Sequence, residues 1–121
     1  MMRYTLTFLS LAAVVSIGMA ASEDRGKDLF ERRCSGCHSL DKDKEGPRLR
    51  GVYGRKSGTV ASFQYSDALK GANISWDAQM LDKWLQDPEK LVAGTDMSFQ
   101  LTQPDERADV IAYLKQLSTQ K

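Results

Sequence analysis

Cys34-Ser35-Gly36-Cys37-His38 is the stretch on which this sequence turns, because it holds both cysteines and the single histidine of the chain. Its C-x-x-C-H spacing is that of c-type haem attachment. On a helical turn, the two thiols can each reach one vinyl group of a porphyrin and form a thioether bond. His38 then lies below the ring, where it can ligate the iron. Three other readings compete: half of a zinc site, a thioredoxin-like dithiol, and chance. Structural zinc takes four protein ligands, and no further Cys or His is present to supply them. A thioredoxin-like pair needs a βαβ setting, and no strand–helix–strand pattern surrounds residue 34. The residues point to one covalently bound haem c, held through Cys34 and Cys37.

Upstream of this stretch, Asp24 to Arg33 reads as a helix with Leu29 and Phe30 on its apolar face. Gly26, one turn before Phe30, offers a place where another backbone can come close. Farther out, Arg3 is the only charge in the first 21 residues, and Gly18, Ala20 and Ala21 are small. This is the charged region, apolar region and cleavage site of a secretory signal peptide. Residues 1–20 are therefore expected to be a leader cleaved after Ala20, and residues 21–121 a single domain. A retained membrane anchor is the other reading of this uncharged run, although Thr5, Thr7, Ser10 and Ser16 weaken it as a span. Export predicts a bacterial periplasmic location. Thiols oxidise there, so the two cysteines must stay reduced until the haem is attached.

The chain carries 17 Lys+Arg and 16 Asp+Glu, and loss of Arg3 with the leader brings the balance to zero. Such a surface gives no support to nucleic-acid binding. A domain of this size buries a modest core, so the haem is expected to be its centre.

Downstream, residues 39–62 are polar and punctuated by Gly46-Pro47, Gly51, Gly54 and Gly58, which predicts loop. Ser66 to Gly71 reads as a short helix with a Ser cap and a Gly stop. Asp77 to Gln86 reads as another, with Met80, Leu81, Trp84 and Leu85 on one side, and Pro88 blocks its continuation. The last helix is expected to start near Thr102, with that Thr as cap and Pro104 in the first turn, and to run to about Ser118. Val110, Ile111, Leu114 and Leu117 form its buried stripe. No strand is expected, and the domain reads as all-α with long loops. Between the last two helices lies Met97, in a polar loop. A thioether suits low-spin haem iron, and the chain from His38 to Met97 is long enough to pass round a porphyrin. Core packing is the alternative role for Met97, and the better one for Met80, which lies on a helix stripe.

The motifs taken together resemble the class I c-type cytochromes, in the branch shared by mitochondrial cytochrome c and its bacterial relatives. The resemblance runs through Gly26-Lys27-Asp28-Leu29-Phe30, the cysteine stretch, Gly46-Pro47-Arg48-Leu49-Arg50-Gly51 and Tyr53-Gly54-Arg55-Lys56-Ser57-Gly58. It continues through Tyr65-Ser66-Asp67-Ala68, Trp76, Gly94-Thr95-Asp96-Met97 and Glu106 to Leu114. It implies a small cytochrome c fold, helices and long loops wrapped around the haem. It also implies Met97 as the distal iron ligand opposite His38, and a hydrogen bond from the other nitrogen of His38 to the Pro47 carbonyl. Arg55, Tyr65 and Trp76 match residues grouped around the haem propionates, and Thr95 matches a distal hydroxyl. Gly26 and Phe30 match the first-helix side of a crossing whose other side is Ala112 and Tyr113.

Departures from the family pattern touch the same regions. Trp84 stands where the mitochondrial branch has a tyrosine, and indole can donate but not accept. Leu69 replaces a polar residue near the propionates, and Arg48 an asparagine. Asp96 and Thr102-Gln103-Pro104-Asp105 take positions where that branch carries lysines. Residues 41–56 hold six basic and three acidic side chains, whereas Asp67 onward holds six basic and nine acidic. The expected function is single-electron transfer by a periplasmic monomer, with no catalysis and no small-molecule substrate. Donor and acceptor proteins would touch it briefly at the exposed haem edge, and a membrane only through them or through an uncleaved leader. The alternative is an electron-accepting haem subunit of a dehydrogenase or oxidase complex. An open-site gas-binding or peroxidatic haem is a third class, which Met97 argues against.

Overall fold

Ser22 opens the first helix, α1 (Glu23–Arg33), by accepting a hydrogen bond from the Arg25 N–H on its hydroxyl. Glu23 and Asp24 in its first turn and Arg32 and Arg33 in its last complement the helix dipole. In the computed structural model, which describes residues 1–2, 9–14 and 19–120, α1 runs straight into the cysteine stretch. The Cys34 N–H bonds the Phe30 carbonyl at 2.9 Å, and the His38 N–H bonds the Cys34 carbonyl at 2.9 Å. The pentapeptide is thus a turn fused to the end of a helix, as its spacing predicts.

Four further helices follow: α2 (Asp67–Lys70), α3 (Ala78–Gln86), α4 (Pro88–Leu91) and α5 (Pro104–Thr119). Among the described residues the only strand-like pairing is one isolated bridge between Lys56 and Ser75, so the domain is all-α. Two expectations need correction. Pro88 ends α3 but also begins α4, because its fixed φ and missing N–H suit the first position of a helix and Asp87 caps the Lys90 N–H. The cap of α5 is Gln103 rather than Thr102, and it makes no side-chain cap bond.

The principal packing is α1 across α5. A Cβ on Gly26 would overlap the Asp109 carbonyl oxygen and crowd the Cβ of Tyr113, so the two backbones meet at the one residue without a side chain. At Gly26 the nearest atoms of α5 belong to Asp109 and Tyr113. One turn on, Phe30 and Tyr113 pack edge to face with centroids 5.7 Å apart. Asp109, buried beside the crossing, takes the Arg25 Nε at 2.9 Å and the Ser22 N–H at 2.7 Å. Leu29, Phe30, Leu81, Trp84, Leu85, Val110, Leu114 and Leu117 form one buried core with Trp76 and Leu101.

The leader expected over residues 1–20 falls partly outside the described residues. Within them, Met1, Met2, Leu9, Leu11, Val14 and Met19 are exposed and do not join the core. No helix among the described residues is long and apolar enough to cross a membrane.

Gly26→Ala places a methyl group against backbone, and we expect it to lower unfolding stability by about 1–3 kcal/mol in urea titration. Arg25 is the main cause holding the Asp109 carboxyl below its ordinary value of 3.8, with the Ser22 N–H adding to it. A depressed folded value stabilises the fold above the unfolded pKa, and the gain is lost as pH falls through the folded one. We therefore expect Asp109→Asn to flatten the fall in stability measured between about pH 5 and pH 2.

Candidate functional site

A cavity of about 340 Å³ lies between the α1–α5 crossing and the loops, and its walls are mostly apolar. Cys34, Cys37, His38, Pro47, Arg55, Tyr65, Trp76, Thr95 and Met97 all line it, so every site residue expected from the sequence converges there. Met80 does not line it; the side chain is half-buried against the core.

On the α1 side, the loop after His38 is zipped closed. The Gly46 N–H reaches the Cys37 carbonyl at 2.9 Å, and the Leu49 and Arg50 N–H groups reach the carbonyls of Ser39 and Leu40 at 3.0 and 2.9 Å. This folding carries the Pro47 carbonyl to 2.9 Å from the His38 Nδ1. A carbonyl can only accept, so Nδ1 carries the hydrogen and Nε2 keeps a lone pair for a metal. Burial lowers the His38 pKa below 6.5, partly opposed by the Pro47 bond, and the ring is neutral at neutral pH. Gly46 lies flat against that ring, and a Cβ there would overlap its atoms.

The two thiols differ in setting. Cys34 is half-buried, and burial pushes its pKa up to about 11. Cys37 is exposed, and its contact with the Glu45 carboxylate at 3.5 Å raises its pKa. Both are protonated at neutral pH.

The polar part of the wall comes from residues 54–76. The Trp76 N–H bonds the Arg55 carbonyl at 2.9 Å and the Gly54 N–H bonds the Trp76 carbonyl at 2.7 Å, which brings Arg55 beside Trp76. The Arg55 guanidinium donates to the Arg48 and Arg50 carbonyls, both at 2.9 Å, and retains further N–H groups for an anion. Burial lowers its pKa below the ordinary guanidinium value. The Tyr65 oxygen accepts the Val60 N–H at 3.1 Å, leaving its own proton to donate. Trp76 is held edge to face by Trp84 at 5.2 Å. A cation and an O–H donor on an otherwise apolar wall suit carboxylates.

Thr95 and Met97 come from the segment between α4 and α5. Its first turn is tied by the Gly94 N–H to Glu89 at 3.0 Å, and its end by the Leu101 N–H to the Leu85 carbonyl at 2.7 Å. Arg33 lies over the Phe99 ring, 5.4 Å from its centroid, a contact that sequence reasoning missed. That pairing joins the end of α1 to the Met97 segment, and no local spacing encodes a contact between residues so far apart. The donor set as a whole fits a haem: two thiols and a neutral imidazole on one stretch, a thioether on another, and donors for carboxylates among apolar walls.

Comparison with known proteins agrees with this geometry. Residues 23–118 match the cytochrome c family profile. The chain is 48% identical to cytochrome c of Euglena viridis over 97 residues, covering 78% of this chain and 95% of that protein. It is 46% identical over 96 residues to cytochrome c of Chlamydomonas reinhardtii, covering 76% of this chain and 86% of that protein. Among solved structures it is similar to cytochrome cH from Methylobacterium extorquens, with a TM-score of 0.75 and 39% identity over 79% of this chain and 99% of that one.

Gly46→Ala pushes the imidazole off the Pro47 carbonyl. We expect a lower yield of haem-loaded protein and a thermal midpoint, followed by visible absorbance, lower by roughly 4–8 °C for each kcal/mol lost.

Proposed function

The chain belongs to the cytochrome c family, and on that footing we propose that it is an exported, periplasmic single-electron carrier whose haem iron is ligated by His38 and Met97. Members of this family carry electrons and are not enzymes, and one haem c is bound covalently through the two cysteines, here Cys34 and Cys37. The haem supplies an Fe(II)/Fe(III) couple.

The protein's own residues do the rest. His38, oriented by Pro47, presents Nε2 as a neutral donor, and its fixed tautomer keeps that donor in one direction. Met97 offers a soft thioether, which favours the reduced state and raises the potential relative to a second nitrogen ligand. Arg55 and Tyr65 bind the propionates and offset the cost of partly burying their charge. The apolar walls exclude water. Held by both His38 and Met97, a haem iron would have no position free for a substrate. The convergence of the Pro47-oriented imidazole and Met97 on one apolar cavity carries this reading.

Export is supported by the leader, with its one charge at Arg3 and its apolar run, and by its described apolar side chains, which the domain leaves exposed. Donor and acceptor proteins make brief contacts over a small interface, as suits a carrier that must leave each partner. The carrier itself is a monomer.

Met97→Ala tests the ligand assignment. We expect loss of the near-infrared sulfur-to-iron band of the oxidised protein. The reduction potential should fall by on the order of 0.1 V, a fraction of the roughly 0.8 V range that axial ligands set. An unchanged spectrum and potential refute the assignment.

A further inference from the structure

Arg107 is the only buried cation among the described residues. It lies in the first turns of α5, where the positive end of the helix dipole disfavours it as burial does. Three acceptors offset that cost. Nε donates to the Asp82 carboxylate at 2.7 Å, and Nη1 donates to the carbonyls of Leu101 and Thr102 at 2.9 and 3.0 Å. The Asp82 side chain is 44% exposed and could be hydrated without Arg107; the Leu101 carbonyl belongs to a residue only 2% exposed.

Those two carbonyls end the segment that carries Met97. Residues 96–100 make no hydrogen bonds of their own to other described residues; the backbone bonds resume at the Leu101 N–H. Apart from the Arg33–Phe99 contact, Met97 therefore takes its hydrogen-bonded anchors from either side. The trailing anchor is Leu101–Thr102, whose two carbonyls share the Arg107 Nη1 while Nε is held by Asp82. A lysine cannot serve all three acceptors in this way, because its ammonium is a point charge without the planar fork that sets Nη1 relative to Nε.

We propose that Arg107 is a positioning residue for the sixth iron ligand: its guanidinium fixes the end of the Met97 segment, and removing the fork lets Met97 leave the iron while the rest of the domain stays folded. This rests on the reading of Met97 as ligand. An incoming ligand such as imidazole binds ferric iron only in the fraction of molecules whose Met97 is released, so its apparent affinity reports that fraction.

The experiment uses haem-loaded parent, Arg107→Lys, Arg107→Gln and Asp82→Asn proteins, under conditions where denaturant curves show each to be folded. Imidazole affinity of the ferric form and hydrogen exchange of the Leu101 amide, whose N–H is bonded to the Leu85 carbonyl, are measured for each. We expect Arg107→Lys and Arg107→Gln to bind imidazole about tenfold more tightly and to exchange about tenfold faster at Leu101. Asp82→Asn, which keeps both carbonyl bonds, should stay within about twofold of the parent. Parent-like affinity and exchange in Arg107→Lys overturn the proposal, as does an Asp82→Asn protein that moves as far as the Arg107 variants. Should Arg107→Gln not fold, Arg107→Lys decides alone. A parent without the sulfur-to-iron band would refute Met97 as ligand, and exchange at Leu101 would still decide whether Arg107 holds the segment.

Discussion

The close approach of α1 to α5 at Gly26 governs both sides of the haem cavity. With no side chain at that point, α1 settles against the Asp109 carbonyl, and Phe30 meets the Tyr113 ring. The end of α1 is thereby fixed, and with it Cys34, Cys37 and His38, which follow without a break. The same helix α5 contributes Val110 and Leu114 to the cavity wall and, through Arg107, holds the end of the Met97 segment. One helix crossing thus sets the attachment stretch and the distal loop relative to each other. A methyl group at Gly26 would disturb both.

Around the cavity, charge is placed sparingly. The imidazole is neutral because it is buried and gives its one hydrogen to Pro47. Arg55 brings the positive charge that carboxylates need, and its own burial is eased by the two carbonyls it binds. Most of the remaining wall is hydrocarbon and aromatic, with Arg33, Glu45, Lys56 and Asp96 also lining the cavity. In such surroundings a charge on the iron is felt strongly, so the identity of the axial donors and the exclusion of water tune the potential more than distant surface groups can.

The basic side chains of residues 41–56 differ in what they touch. Arg50 pairs with Asp41 at 2.7 Å, and Arg55 turns inward to the Arg48 and Arg50 carbonyls. An exposed pair of this kind adds little to stability, and it leaves the excess of three positive charges over residues 41–56 in place. The charge stays divided, basic over this loop and acidic from Asp67 onward.

The sequence by itself determined the cofactor, its attachment and the helical plan. Cys34, Cys37 and His38 act at one helical turn, and α1, α3 and α5 carry their apolar stripes at helical spacing, so local pattern was enough. It also marked Gly26 as a point of close approach. What it did not contain was α4, where Pro88 both stops one helix and starts the next, and the true cap of α5, because neither is decided by the residue's identity alone. The convergence of Pro47, Arg55, Tyr65, Trp76 and Met97 was reached through family resemblance, since no spacing joins them. Only the tertiary structure decided the Arg33–Phe99 contact, the Asp109–Arg25 pair and the fork of Arg107 beneath Leu101 and Thr102. In each, a charged side chain that reads as solvent-facing along the chain finds its partner in a distant segment. Burial and the need to satisfy every buried donor, not local propensity, chose those partners.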